Sequence, residues 1–119
     1  MQKRISLTLL GQAKERFEQF VSAASKQGME GKENSPEKQL LKSIKQKSEL
    51  LKINPASGRQ IPRSVFPKGL DVPCLFKINL CGYYRMVYTL NINEEEIAVF
   101  VLWILSHPEY DKLFGYRKR

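Results

Sequence analysis

Apolar and polar residues alternate at the start of the chain and then change to a helical spacing. The alternation from Ile5 to Leu9 predicts a first strand over about residues 3–9. After Gly11, apolar residues recur every three or four positions, which predicts a helix over about residues 11–27. The chain therefore begins with one strand followed by one helix.

A polar break rich in glycine, asparagine and serine follows the first helix, at Gly28–Ser35. Ser35 and Pro36 predict the start of a second helix, because serine caps free N–H groups and proline fits the first helical position. Apolar residues at helical spacing carry this helix over about residues 36–52. Since the link is short, we expect the two helices to form an antiparallel hairpin.

The second half of the chain has the pattern of a sheet. Asn54–Gly58 ends the second helix and opens a loop that reaches to about residue 72. A loop of this length in a compact domain needs a reason, and binding is one. Three strands are predicted after it, at about residues 74–80, 83–90 and 96–105. The last is nearly all apolar, which predicts a central strand buried on both faces, and Pro108 is expected to end it.

This order predicts one α+β domain over residues 1–119. Short connections between the last three strands favour antiparallel pairing. We expect a mostly antiparallel sheet of about four strands, including the N-terminal one, with the helix hairpin packed on one face.

The positive charge is concentrated in the middle of the chain. The 119 residues carry a net charge of +8, and the stretch from Lys38 to Asn93, with ten basic residues and two acids, accounts for all of it. Such a segment favours a polyanionic partner, nucleic acid or an acidic protein. The alternative is an ordinary solvated surface. A small basic tail, Arg117–Arg119, ends the sequence.

Composition excludes several other classes. Two cysteines cannot form a disulfide scaffold, and with one histidine they argue against a structural zinc site, so both are interpreted as buried thiols. The longest apolar run, Ile97–Leu105, is too short for a membrane span, and the first residues lack a signal-peptide core. We expect a cytoplasmic domain without metal, cofactor or membrane contact.

Four stretches together match the pattern of a known family. They are the helix end and loop Leu51–Gly58, the strand Leu75–Leu80, the strand Gly82–Tyr88, and the apolar strand that runs into Ser106-His107. The most specific is Gly82-Tyr83-Tyr84-Arg85-Met86-Val87-Tyr88, which resembles a "G-x-Y-R-hydrophobic-hydrophobic-Y" strand. In these features the chain resembles the RelE/ParE superfamily of toxins from toxin–antitoxin systems.

The resemblance implies both a fold and an activity. RelE-branch members are mRNA endonucleases, or mRNA interferases, which inhibit translation by cutting RNA on the ribosome or free in solution without a metal. ParE-branch members instead inhibit DNA gyrase by binding. Both are silenced by a small antitoxin, which we expect to be acidic. The expected partners are therefore RNA and an antitoxin. The alternatives are a ParE-like gyrase inhibitor or a catalytically weak, basic nucleic-acid-binding domain.

Metal-free cleavage by the 2′-hydroxyl of RNA needs a proton acceptor, a cation for the phosphate and an acid for the leaving oxygen. Arg85 is a candidate for the cation that binds the phosphate, because a guanidinium can hold two phosphate oxygens. The alternative for Arg85 is a surface arginine paired with a carboxylate. Lys77, on the polar face of the neighbouring strand, is a candidate phosphate ligand or base, or a solvated lysine.

Two further catalytic candidates follow the last strand. His107 is a candidate acid or base, since histidine titrates near neutral pH, and otherwise a structural residue. Tyr110, with Tyr116 as an alternative, is nearest to the family's tyrosine. Its hydroxyl or ring would donate a proton or stack on a base, unless it packs at the end of the sheet. Pro108 stands where many relatives have arginine.

The remaining candidates are expected to hold RNA rather than to react with it. Arg59, Arg63 and Lys68 in the long loop are interpreted as phosphate ligands. Asn79 points to the same side as Lys77, where several RelE-type members carry a second basic residue. This departure favours weaker catalysis or a purely binding protein.

Overall fold

The computed structural model describes residues 3–29 and 35–115. The elements are β1 (Arg4–Leu9), α1 (Gly11–Met29), α2 (Pro36–Ile53), β2 (Arg59–Gln60), a single 3₁₀ turn (Arg63–Val65), β3 (Phe76–Asn79), β4 (Tyr84–Ile92), β5 (Glu96–Ser106) and α3 (His107–Phe114). Most of the predicted polar break, Tyr116 and the basic tail Arg117–Arg119 lie outside the described residues. Within the described ranges, no helix is both long and apolar enough to cross a bilayer.

The strands form one mixed sheet in the order β1-β5-β4-β3-β2. Consecutive strands from β2 to β5 pair antiparallel, whereas β1 pairs parallel to β5. The α+β class is confirmed, but the expectation of about four strands is wrong, because the two-residue β2 lies inside the predicted loop. The sheet is mixed because β1 occupies the free edge of β5 in a parallel register, from Arg4 opposite Glu96 to Leu9 opposite Val101.

The larger core lies between the two long helices and one face of the sheet. Leu51 from α2 is fully buried there with Met86, Tyr88 and Val99 from the sheet. The N-terminus of α2 has the predicted cap, since the Ser35 hydroxyl accepts a hydrogen bond from the Lys38 N–H. The two helices contact each other, but the link that would make them a hairpin falls largely outside the described residues.

A third helix, α3, packs on the opposite face of the sheet and was not predicted. Ser106 and Glu109 form a capping box, in which each side chain accepts a hydrogen bond from the other's backbone N–H, and Pro108 lies in the first turn. β5 ends at Ser106, two residues before Pro108, and Pro108 lies in the helix that follows, since proline is compatible with a helix start. Tyr110 and Phe114 of α3 are buried on this face.

The central position of β5 is confirmed. It lies between β1 and β4, with α1 against it on one side and α3 on the other. Where β1 ends, the side-chain amide of Gln12 replaces it, donating to the Ile104 carbonyl at 3.1 Å and accepting from its N–H at 2.9 Å. The predicted burial of the cysteines is wrong for Cys81, which is exposed in the turn after β3, and Cys74 is half-buried.

An ion pair joins α1 to α3. The Arg16 guanidinium donates to both carboxylate oxygens of Glu109, at 3.2 and 2.8 Å. These hydrogen bonds, helped by the Ser106 N–H, lower the pKa of Glu109 from 4.5 to about 2. The pair therefore fixes the start of α3 relative to the first helix.

Acid should weaken this link over a defined range. Because the folded-state pKa of Glu109 is depressed, its stabilisation is complete above about pH 4.5 and is lost as the pH falls through about 2. Glu109→Gln should lower the free energy of unfolding at pH 7 by about 1 kcal/mol, since the 43% exposed carboxylate is screened by solvent. Thermal unfolding from pH 2 to 7 should show the two proteins converging at the acid end. A constant difference across this range would contradict the assignment.

Candidate nucleic-acid interface

The register of β3 and β4 places three polar side chains on the face that carries α3. Asn79 lies opposite Arg85, and Lys77 lies opposite Val87, which is buried in the smaller core between the sheet and α3. Residues directly opposite each other share a face, and residues two apart on a strand share it too. The predicted common orientation of Lys77 and Asn79 is therefore confirmed, and Arg85 lies beside them.

Of the three cations predicted in the long loop, one joins this group. Arg59 on β2 lies directly opposite Lys77. Arg63 instead holds the loop itself, because its guanidinium donates to the Pro73 carbonyl at 2.6 Å and lies 5.3 Å from the centre of the Phe66 ring. Lys68 is exposed in the turn that begins at Pro67.

His107, the first residue of α3, is hydrogen-bonded to Arg85. The distance from the Arg85 guanidinium nitrogen to Nδ1 is 2.8 Å. Arginine can only donate, so Nδ1 accepts and the ring proton lies on Nε2. Nε2 faces the Asp111 carboxylate at 3.5 Å, one helical turn further on. His107 is thus oriented by a cation at one nitrogen and a carboxylate at the other.

Tyr110 is fully buried, and its ring lies against the charged groups of Lys77 and Arg85. The Arg85 guanidinium carbon is 4.6 Å from the centre of its ring, and the Lys77 ammonium nitrogen is 4.9 Å from it. Both are cation–π distances. A fully buried ring does not stack on a nucleobase, so the position of Tyr110 agrees with the packing alternative. The Tyr110 ring therefore helps to hold the charged groups of Lys77 and Arg85 in position.

The environment of Lys77 disfavours the protonated, charged form of its side chain. Partial burial lowers the pKa of Lys77, and the charges of Arg85 and Arg59 lower it further, while Asp111 opposes the shift. A lysine with a depressed pKa gives up its proton more readily. Lys77 is therefore suited to donate a proton to a developing oxyanion as well as to bind phosphate.

These side chains line a continuous groove. A cavity of about 470 Å³ is bordered, among others, by Lys47, Ser57, Arg59, Lys77, Asn79 and Arg85. A second cavity of about 220 Å³ shares Asn79 and Arg85 with it and is also bordered by Tyr83 and His107. We call the two cavities together the basic groove. None of the residues lining either cavity is an aspartate or glutamate, so the groove favours a polyanion.

Sequence reasoning missed two charged residues near this groove, Lys47 and Asp111. Lys47 reaches it from α2, and its only signal was the general run of lysines in that helix. Asp111 contacts His107, and the signal for it was the four-residue spacing that places both on one helix face. That spacing has meaning only once α3 is known to exist.

The loop that carries Arg59 is held against the sheet by Tyr88. The buried Tyr88 hydroxyl donates to the Pro55 carbonyl at 2.8 Å and accepts from the Gly58 N–H at 3.0 Å. Burial raises the pKa of this hydroxyl, so it remains a donor. A Cβ on Gly58 would lie 2.6 Å from both the Lys77 carbonyl oxygen and the Tyr88 hydroxyl. Only glycine permits this approach without movement.

Gly58→Ala should therefore displace the loop and Arg59 with it. We expect the free energy of unfolding to fall by about 1–3 kcal/mol, the usual cost of inserting a methyl group into close contact. Urea unfolding measures the loss, and Tyr88→Phe, which removes only the hydroxyl, measures the hydrogen bonds alone. Because the clash with the Lys77 carbonyl persists, the double variant should remain less stable than Tyr88→Phe. Equal stability of these two would contradict the steric argument.

Comparison with models of known protein families finds none that matches the chain. A search of curated proteins likewise finds no matching relative. Residues 3–29 and 35–115 contain no group of three or more His, Cys, Asp or Glu side chains placed to hold a metal ion.

Proposed function

We propose that the protein is a RelE-like toxin that binds RNA in the basic groove and cleaves it with the RNA's own 2′-hydroxyl as nucleophile. The observation that carries the proposal is the Arg85–His107 pair, hydrogen-bonded at 2.8 Å within a groove lined by further cations. It combines a phosphate-binding group with an acid–base group at adjoining positions. A small acidic antitoxin is the second proposed partner.

The first step would be an exchange of partners by Arg85. In the free protein its guanidinium donates to His107 Nδ1. A bound phosphodiester offers charged oxygens, which are stronger acceptors than an imidazole nitrogen. Arg85 would then turn to the phosphate and leave the Nδ1 lone pair free. Substrate binding would thereby activate His107 as a base.

The chemical step follows from this arrangement. Nδ1 of His107 takes the 2′-hydroxyl proton while a new bond forms between the 2′-oxygen and phosphorus. Asp111, facing Nε2 at 3.5 Å, stabilises the resulting imidazolium. The bond from phosphorus to the 5′-oxygen breaks, and the Lys77 ammonium gives its proton to that oxygen. The products are a 2′,3′-cyclic phosphate and a 5′-hydroxyl, and Arg85 stabilises the charge on the phosphoryl oxygens throughout.

Purified protein should therefore cut RNA, free or on ribosomes, in the presence of EDTA. The expected products carry a cyclic or 3′-phosphate and a 5′-hydroxyl. A matched substrate with one 2′-deoxynucleotide at the cleavage position should stay intact, because the nucleophile is missing. The proposal is refuted if RNA is cut neither free in solution nor on ribosomes. It is also refuted if the deoxy substrate is cut at the same position.

A second candidate is a ParE-like toxin that inhibits gyrase by binding alone. Asn79 favours this candidate. Its uncharged side chain lies opposite Arg85, at a position where several RelE-type members carry a second basic residue. A DNA supercoiling assay separates the two candidates. Inhibition of gyrase with RNA left intact would support the second candidate and exclude the first.

A further inference from the structure

The tight turn between β3 and β4 holds an aromatic residue in an unusual backbone conformation. The Tyr84 N–H donates to the Cys81 carbonyl at 3.4 Å, so Gly82 and Tyr83 are the two central residues of a β-turn. Their φ angles are +65° and +66°. Glycine accepts this left-handed region, but for a bulky side chain it is strained. Among the described residues, Tyr83 is the only non-glycine with a positive φ.

The same side chain is almost fully exposed. Tyr83 is 85% exposed, the largest value among the exposed large hydrophobic residues of the described part of the chain. An asparagine at this position would tolerate the left-handed backbone better and would not expose an aromatic ring to water. A strained residue that also exposes apolar surface points to a function outside folding.

The turn is fixed relative to the proposed catalytic groups. The backbone N–H of His107 donates to the Tyr83 carbonyl at 2.7 Å. Tyr83 also borders the 220 Å³ cavity, together with Asn79, Arg85 and His107. That volume is below the roughly 300–1,000 Å³ of sites for drug-sized ligands. The cavity thus brings together an exposed aromatic ring, an amide side chain and the proposed phosphate-binding cation Arg85, in a space for one small group.

We propose that Tyr83 is a stacking platform for one nucleobase of single-stranded RNA, next to the phosphate held by Arg85. This inference rests on the proposed function and adds to it a base-binding subsite. Unpaired bases of single-stranded RNA stack on exposed aromatic side chains. The Asn79 side chain, which also borders the cavity, offers a donor and an acceptor to the edge of the base.

The test uses a short single-stranded RNA in which every 2′-hydroxyl is replaced by 2′-fluoro, so that the nucleophile is missing and the RNA cannot be cleaved, with binding followed by fluorescence anisotropy. Tyr83→Asn should weaken binding by about 10-fold, the loss expected for one base–aromatic stack. Tyr83→Phe should bind like wild type, because the ring remains. The salt dependence of binding should be the same for all three proteins, since no phosphate contact changes.

A scan with single abasic positions supplies a second readout. Wild type should lose about as much affinity at one position as Tyr83→Asn loses overall, and Tyr83→Asn should lose nothing further there. Thermal unfolding of Tyr83→Asn should occur at or above the wild-type temperature, which separates lost binding from lost structure. Equal binding by wild type and Tyr83→Asn would overturn the base subsite while leaving RNA cleavage intact. A wild type that neither binds nor cuts RNA would overturn the proposed function as well.

Discussion

Arg85→Ala is expected to slow RNA cleavage by about 10²–10³-fold, as is usual when a group that stabilises transition-state charge is removed. In the proposed reaction Arg85 has two roles. It binds the phosphate, and by leaving Nδ1 it makes the His107 base available only when substrate is present. Because the phosphate contacts act on both the bound substrate and the transition state, losing them should raise KM and lower kcat together.

The test compares the KM and kcat of Arg85→Ala with those of two other variants under steady-state conditions. Arg85→Lys keeps the charge but loses the planar fork, so an intermediate rate is expected. Arg4→Ala removes the same charge from β1, at the opposite edge of the sheet, and should cut at nearly the wild-type rate. If Arg4→Ala and Arg85→Ala lost activity equally, net charge and not the site would explain the effect.

The orientation of Lys77 and Asn79 was predictable because it depends only on the two-residue period of a strand. The same period fixed the burial of Ile78 on the other face. Pairing partners follow from turns, and the Gly82 turn was visible in the sequence, so the proximity of Lys77 and Arg85 could be expected as well. These parts of the site depend on local information.

The position of Arg59 could not be predicted in this way. β2 is only two residues long and both are exposed, so no hydrophobic pattern marks it. Its pairing with β3 depends on the Tyr88 hydroxyl, 30 residues from Gly58 in the chain, and on the space that Gly58 leaves. In the sequence Gly58 is only the last residue of the break after the second helix, whereas the tertiary contact shows why that position must be glycine.

The omission of α3 had a local cause and a larger consequence. Its start signal, a serine followed three residues later by glutamate, was present at Ser106 and Glu109, but Pro108 was interpreted only as a break. Without the helix, Asp111 could not be placed on one face with His107. The carboxylate that orients the proposed base was missed for that reason.

Tyr110→Ala is the substitution expected to affect stability most. Removing a fully buried aromatic ring costs about 3–5 kcal/mol, a large part of the roughly 5–15 kcal/mol that stabilises a typical domain. Cleavage should also fall in the fraction that stays folded, because Arg85 and Lys77 lose the ring on which they lie. Phe114→Ala is the matched control. Phe114 packs against Tyr110 at 4.6 Å between ring centres, so its loss should destabilise similarly while leaving the ring under the cations.

Tyr110→Phe separates the two roles that the sequence left open for this residue. If the ring positions Arg85 and Lys77, the phenylalanine variant should cut RNA within a few-fold of the wild-type rate, with an unchanged pH dependence. If the hydroxyl takes part in proton transfer, the variant should lose as much activity as Arg85→Ala, and the pH–rate profile should lose one limb. The first result is expected, since a side chain with no exposure lies beneath the groups that face the groove and does not reach the RNA itself.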